Sequence, residues 1–350
     1  MLLNSGFKIK NYTVNKLFFI ITILLLATVR EVNAEKFISP KNKNIQYVGR
    51  WDKSHTNDYH SYWGGAYFTI KFRGNQVKIK LAFPVNIYVK LDDGPMVLFT
   101  KVSGWVKISP DSLSQSTHHL QVIAKFQDDE IQLEGLSLDE NGKLLKPAKK
   151  KVLVEFIGDS ITSGDRTSKG NTSAYPWICG EALDVKHTQI SYCGIPLTDG
   201  YHFNYKDAPE TGMELAYLRL KQPNHQPDPH WNFKKYTPKV IVINLGTNDA
   251  SLGVPPNLFR EHYTRFIQSI RTIFPKAIIA VLIPFNGSYQ NEIRRMVQKD
   301  FAGDQRLKMI ETNDWLMPSN TTDGTHPNDE GHVLIANKLS GIIKVYLKSV

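Results

Sequence analysis

The hydrophobic pattern of this 350-residue chain changes character near residues 139–151, and no other feature restricts the possible folds as much. Before that point, residues 67–72, 76–81, 85–91 and 119–124 alternate apolar and polar side chains. Turn residues separate these runs: Arg73-Gly-Asn75 in one place, Asp92-Asp-Gly-Pro95 in another. Short alternating strands at this spacing, with no helix-period segment between them, predict an antiparallel all-β sandwich. Residues 139–151 are polar, with a Gly and a Pro, and read as a linker. After them, apolar strands at 152–157, 188–192, 240–245, 277–283 and 307–310 alternate with helical stretches at 175–183, 258–273, 293–301 and 330–346. That alternation predicts a parallel sheet with helices on both faces, a three-layer α/β domain. The expected division is therefore residues 1–34 as a leader, 35–138 as the sandwich, 139–151 as the linker and 152–350 as the α/β domain.

The leader is expected from its own pattern. Lys8, Lys10 and Lys16 precede an apolar run at 17–29, and Ala34 closes a small-residue exit. This is the pattern of a secretory signal, and the run is short for a bilayer span. An uncleaved anchor is the alternative reading. Net charge is +10; residues 1–34 hold four basic residues and one acidic one, so the mature chain keeps about +7. No basic stripe interleaved with aromatics accompanies that charge, so a nucleic-acid partner is not expected. No stable membrane association is expected after signal cleavage, and a monomer is expected.

Secretion bears on two further features. Cys179 and Cys193 are the two cysteines, and an oxidising compartment permits them to pair. A disulfide across that separation would stabilise by roughly 3 kcal/mol on the loop-entropy argument. Asn171, Asn286 and Asn320 each open an Asn-X-Ser/Thr sequon and are candidate glycosylation sites. No metal or other cofactor is expected, because neither a His-Glu-X-X-His nor a paired Cys-X-X-Cys pattern occurs. His55, His60, His118 and His119 are expected on sandwich surfaces or loops.

In an open parallel sheet, sites form at the carboxyl ends of the strands. Three polar clusters fall there or nearby: Gly158-Asp-Ser160, Gly246-Thr-Asn-Asp249 and Asp323-Gly-Thr-His-Pro327. A serine hydroxyl needs a base to become a nucleophile, and the base needs an orienting group. Ser160 can supply the hydroxyl, His326 the base and Asp323 the orienting carboxylate. The tetrahedral intermediate of acyl transfer also needs donors for its oxyanion. The Ser160 and Gly194 backbone N–H groups and the Asn248 side-chain amide are candidates.

The ordered blocks GDSI, a Gly after the next strand, GTND and DGTHP resemble those of the SGNH (GDSL-type) hydrolases, over residues 152–350. The resemblance implies Ser160 as nucleophile, Gly194 and Asn248 as oxyanion-hole donors, and Asp323 with His326 completing a triad. Residues 191–196 depart from the family pattern by lacking the Asn often found before that Gly. In the first domain, Val48-Gly-Arg-Trp51, Tyr62-Trp-Gly-Gly-Ala-Tyr-Phe68, Phe72-Arg-Gly74 and Val89-Lys-Leu-Asp-Asp-Gly94 are similar to the jelly-roll domain of carbohydrate esterase family two. Members pair it with an SGNH domain and deacetylate polysaccharides such as xylan and glucomannan. Some members lack the triad Asp and orient the His with a backbone carbonyl; this chain has the Asp. The resemblance implies a secreted acetylesterase whose partner is an acetylated polysaccharide or oligosaccharide. A lipid or aryl-ester hydrolase on the same fold, and a carbohydrate-binding protein with weak or no catalysis, are the other readings. Among the tryptophans, Trp63, Trp177 and Trp231 are expected in cores, and Trp315, just before the Asp323 segment, is the candidate substrate-binding wall.

Overall fold

A computed structural model describes Met1 and residues 35–148, 152–226 and 228–349; the expected leader lies outside the described residues. The alternating first half forms β1 (Lys36–Ile38), β2 (Ile45–Val48), β3 (Trp51–Asp52), β4 (Tyr59–Ser61), β5 (Tyr67–Gly74), β6 (Val77–Leu91), β7 (Val97–Lys107), β8 (Ser116–Ala124), β9 (Gln132–Leu138) and β10 (Lys143–Leu145). These strands pair antiparallel in one ten-stranded system that folds over a single apolar interior. Phe68, Ile70 and Phe72 of β5 meet Ile79, Leu81, Val122 and Leu136 there, as the period-two pattern requires.

Three differences from the sequence expectation have local causes. Residues 76–81 and 85–91 are one strand, β6, whose register shifts between Leu81 and Val85. Pro84 lies in that irregular stretch, where a strand tolerates the loss of an N–H. The first half of β6 pairs with β9 and the second with β8, so it turns a corner of the sandwich. The segment read as linker contains β10, which pairs with β5. His60 and His118 are buried rather than on the surface, because each meets a carboxylate: Glu130 at 3.0 Å and Asp92 at 2.6 Å.

The second sheet is parallel: β11 (Leu153–Gly158), β12 (Lys186–Ser191), β13 (Val240–Asn244), β14 (Ile278–Leu282) and β15 (Leu307–Ile310), in the order β12-β11-β13-β14-β15. Its helices are α1 (Ser160–Ser163), α2 (Tyr175–Ala182), α3 (Met213–Ala216), α4 (Thr247–Ser251), α5 (Pro256–Ile273), α6 (Gln290–Arg295) and α7 (Asp329–Lys348). The helix expected at 293–301 begins earlier as α6 and continues into a π-helical turn, Met296–Asp300. Alternate residues of each strand serve opposite faces. Ile241, Ile243, Ile279 and Val281 pack against Phe259, Tyr263 and Phe266 of α5. Val242 and Ala280 pack with Tyr175 of α2 and Ile335, Leu339 and Ile343 of α7. The chain runs from β11 to β12 on one side and then to β13 on the other, so strand order reverses at the carboxyl end of β11, the position where open α/β sheets bind ligands.

The two domains share buried side chains. Tyr62 and Trp63 of the sandwich belong to the α5-side core of the α/β domain. The glycines after Trp63 let the backbones approach: a Cβ on Gly65 would lie 2.4 Å from Gln189 of β12. Arg50 is wholly buried; it donates to the Tyr217 carbonyl at 2.6 Å and stacks its guanidinium 4.8 Å from the Tyr217 ring. Glu155, wholly buried in β11, accepts from the hydroxyls of Tyr217, at 2.6 Å, and Tyr236.

The structure places the residues of two modification expectations. Cys179 and Cys193 are unbonded. Cys179 faces the interior between α2 and α7, where its thiol meets the Ala336 carbonyl at 3.5 Å, and burial pushes that thiol up to about 12. Cys193 lies beyond the carboxyl end of β12, among Ser163, Asp159 and Asp165. Asn171 and Asn320 are buried, so neither amide is open to a glycan. The Asn171 amide bridges the domains, donating to the Gly64 carbonyl at 2.6 Å and the Ala124 carbonyl at 3.0 Å. Asn320 folds inward and accepts from the Met317 N–H at 3.1 Å. Asn286 is exposed.

Candidate active site

β11 ends at Gly158, and Asp159 caps the four-residue α1 by accepting from the Ile161 N–H at 3.0 Å. Ser160 is the first residue of that helix, so its N–H has no carbonyl partner one turn earlier. Gly164, with φ of 77°, ends the helix, and the Asp165 N–H returns to the Ser160 carbonyl at 3.0 Å. A tight loop is therefore wound around the serine.

His326 reaches Ser160 from far along the chain. The Thr321–Pro327 bridge and the Thr322 N–H bonded to the His326 carbonyl at 2.8 Å form a small hairpin. Asn328 caps α7 directly after it, accepting from the Gly331 N–H at 2.9 Å. Ser160 Oγ lies 2.8 Å from His326 Nε2. Asp323 Oδ2 lies 2.9 Å from His326 Nδ1. With the proton on Nδ1 facing Asp323, Nε2 is free to accept from the serine hydroxyl. Asp323 Oδ1 also accepts from the backbone N–H groups of His326 at 2.8 Å and Thr325 at 3.1 Å. The bonds from His326 hold the Asp323 carboxyl well below the usual carboxylate range. Arg166 adds a fixed cation: its Nε is 2.9 Å from Asp323 Oδ2.

Gly194 and Asn248 follow β12 and β13, the two strands that flank β11. Gly194 has φ of 76°, and a Cβ there would fall 2.0 Å from the Tyr205 hydroxyl. The Asn248 amide donates to the Ile195 carbonyl at 2.9 Å and keeps a second N–H. Asp249 binds the same loop, accepting from the Leu197 and Thr198 N–H groups at 2.8 and 2.9 Å. Gln127 of the sandwich domain accepts from the Cys193 N–H at 2.7 Å, so the first domain also braces the Gly194 loop.

Burial raises the Asp159 carboxyl to about 7, and its Oδ2 has no hydrogen-bond partner. A groove of about 230 Å³ runs beside the serine, lined by Ile161, Thr247, Phe285, Leu316, Met317 and Thr325. Trp315 does not line it. Its ring packs near Phe285 and beneath Lys338 of α7, and the next two residues take the wall. Trp63, Trp177 and Trp231 are buried. Tyr205 is 52 % exposed over Gly194, a position that strand and helix patterns did not single out. Among the described residues, no group of His, Cys, Asp and Glu could hold a metal ion, and no helix is long and apolar enough to cross a membrane.

Residues 156–334 match the GDSL-like lipase/acylhydrolase family, and residues 47–147 match the carbohydrate esterase 2 N-terminal domain. The chain is 28% identical over 333 residues to the cellulase/esterase CelE of Acetivibrio thermocellus, covering 87% of this chain but only 39% of that protein's length. It is 26% identical over 294 residues to an acetylxylan esterase/glucomannan deacetylase of Cellvibrio japonicus, covering 75% of each. Among solved structures, a family two carbohydrate esterase from Clostridium thermocellum in complex with cellohexaose superposes with a TM-score of 0.75 at 26% identity, covering 87% of this chain and all of that one. A family two carbohydrate esterase from Cellvibrio japonicus shares the fold, with a TM-score of 0.78 at 18% identity over 90% of this chain and 98% of that one.

Proposed function

The chain belongs to the GDSL-like lipase/acylhydrolase family, with a carbohydrate esterase 2 N-terminal domain before it, and from that premise we propose that it is a secreted serine esterase that removes O-acetyl groups from polysaccharides such as acetylated xylan or glucomannan. The observation that carries this reading is the Asp323–His326–Ser160 relay, with contacts of 2.9 and 2.8 Å. Ser160 Oγ attacks the acetyl carbonyl carbon while His326 Nε2 takes its proton. Asp323 holds the resulting imidazolium. His326 then gives the proton to the departing sugar oxygen, leaving an acetyl-serine that water hydrolyses by the reverse proton path. The Ser160 and Gly194 N–H groups and the free Asn248 N–H serve as oxyanion donors.

The substrate class is supported by the names of the relatives, two of which are deacetylases of xylan and glucomannan. Acetate release from acetylated xylan and acetylated glucomannan tests it. Wild-type protein should release acetate, and Ser160→Ala should lower kcat by roughly 10⁴–10⁶-fold. Release that survives in Ser160→Ala would overturn the mechanism. No release from either polymer, with hydrolysis of longer-chain esters, would overturn the substrate class.

A further inference from the structure

We propose that Asp165 recognises the leaving sugar, accepting a hydrogen bond from the free hydroxyl next to the acetylated oxygen. This rests on the sugar-ester reading above. Asp165 Oδ2 lies 3.7 Å from His326 Nε2, the atom that must protonate the departing oxygen. That is too far for a hydrogen bond to the imidazole, and no described residue donates one to Oδ2. Its other neighbour, Arg166 Nε, is 3.9 Å away. The second oxygen is already used, accepting from the Arg166 N–H at 3.0 Å. One carboxylate oxygen therefore stands open beside the proton-transfer atom, on a side chain 33% exposed.

The position is rigid. The Asp165 N–H is bonded to the Ser160 carbonyl, so the carboxylate is tethered to the nucleophile itself. Three residues on, the Asp329 carboxylate of α7 accepts from the Ser168 N–H at 2.9 Å and from its hydroxyl. Arg166 lies between these anchors with φ of 61°, turning its side chain to Asp323. The loop thus fixes both carboxylates relative to the imidazole, one at each ring nitrogen.

When a leaving oxygen sits within hydrogen-bond reach of Nε2, the neighbouring oxygen on the same sugar ring falls within reach of Asp165 Oδ2. A simple alkyl or aryl ester has no hydroxyl there. Beside an unsubstituted leaving group the carboxylate would gain no bond in exchange for the water displaced, which disfavours such esters relative to sugars. Asp165 is thus a specificity residue for acetates with an unsubstituted vicinal hydroxyl.

The test compares kcat/KM for 4-nitrophenyl acetate, a monoacetylated methyl xyloside and its analogue with hydrogen in place of the neighbouring hydroxyl, in wild type and Asp165→Ala, which removes the accepting oxygen. The ratio of xyloside to nitrophenyl ester should fall by roughly ten- to a hundredfold in the variant, the loss expected for one hydrogen bond to a charged acceptor. Wild type should lose a similar factor on the deoxy analogue, and the variant should lose little further. An unchanged ratio would overturn the proposal: a common fall would assign Asp165 to imidazolium electrostatics alone. Wild type that cleaves the nitrophenyl ester but none of the xyloside acetates would overturn the sugar-ester reading, and this proposal with it.

Discussion

Two predictions belong to single residues. Asn248 donates to the Ile195 carbonyl and is proposed as an oxyanion donor through its second N–H, so Asn248→Ala should lower kcat by about 10²–10³-fold with little change in KM, measured on an acetyl ester. A mainly KM effect would remove Asn248 from the oxyanion role. Asp159 carries a carboxyl that burial raises to about 7, from an ordinary value near 4. The fold thus favours its protonated form. The contribution is full below about pH 4 and is lost as pH rises towards 7, at a cost on the order of a few kcal/mol. Asp159→Asn keeps the oxygen that accepts from Ile161 and removes the titration. Urea midpoints at pH 5 and pH 7.5 should therefore lie closer together in the variant than in wild type; an equal gap would exclude Asp159 as its source. The juxtaposition of Ser160, His326 and Asp323 was legible at this scale because each sat in a polar cluster, one after a strand and the other before the last helix. Asp165 and Arg166 were not, because two charged residues after a glycine read as an ordinary turn until the loop is seen wrapped around Ser160.

At the scale of elements, periodicity located the five parallel strands, the long sandwich strands β5, β6 and β8 and the longer helices to within a few residues, and left the other sandwich strands unnamed. β7 was missed because most of its residues are exposed on both faces, so no period-two signal exists to read. β6 was divided in two because its proline looks like a break, whereas the bulge absorbs it. Trp315 sat at a suggestive distance from His326 in sequence, but the turn before the Pro318–Asn320 helix sends its ring to Phe285 and α7. The cysteines were close enough along the chain to pair. The helix carrying Cys179 turns that thiol towards α7, while Cys193 follows the carboxyl end of β12. Thiol titration of the unfolded, unreduced protein should accordingly find two thiols per chain; finding none would show a bridge.

At the scale of the molecule, the domains are predicted to unfold as one. Tyr62 and Trp63 fill the α/β core from the sandwich side, and Arg50 lies among aromatic rings and carbonyls of the other domain. Calorimetry should show a single transition, and Arg50→Met should lower stability by about 3–5 kcal/mol, because the buried Glu155 region then loses its cation. Two resolved transitions in wild type would refute this coupling. The sequence by itself determined the two fold classes, through the switch of hydrophobic period, and singled out Ser160, His326 and Asp323, through polar clusters after a strand and before the last helix. Those are local signals: a period, or a few residues following a strand. Only the tertiary structure decided which asparagine amides are open, that the cysteines stay apart, that Gln127 of the sandwich braces the Gly194 loop, and that a second carboxylate stands at Nε2. Each depends on groups distant in the chain being brought within a few ångströms, and a hydrophobic pattern carries no record of that distance.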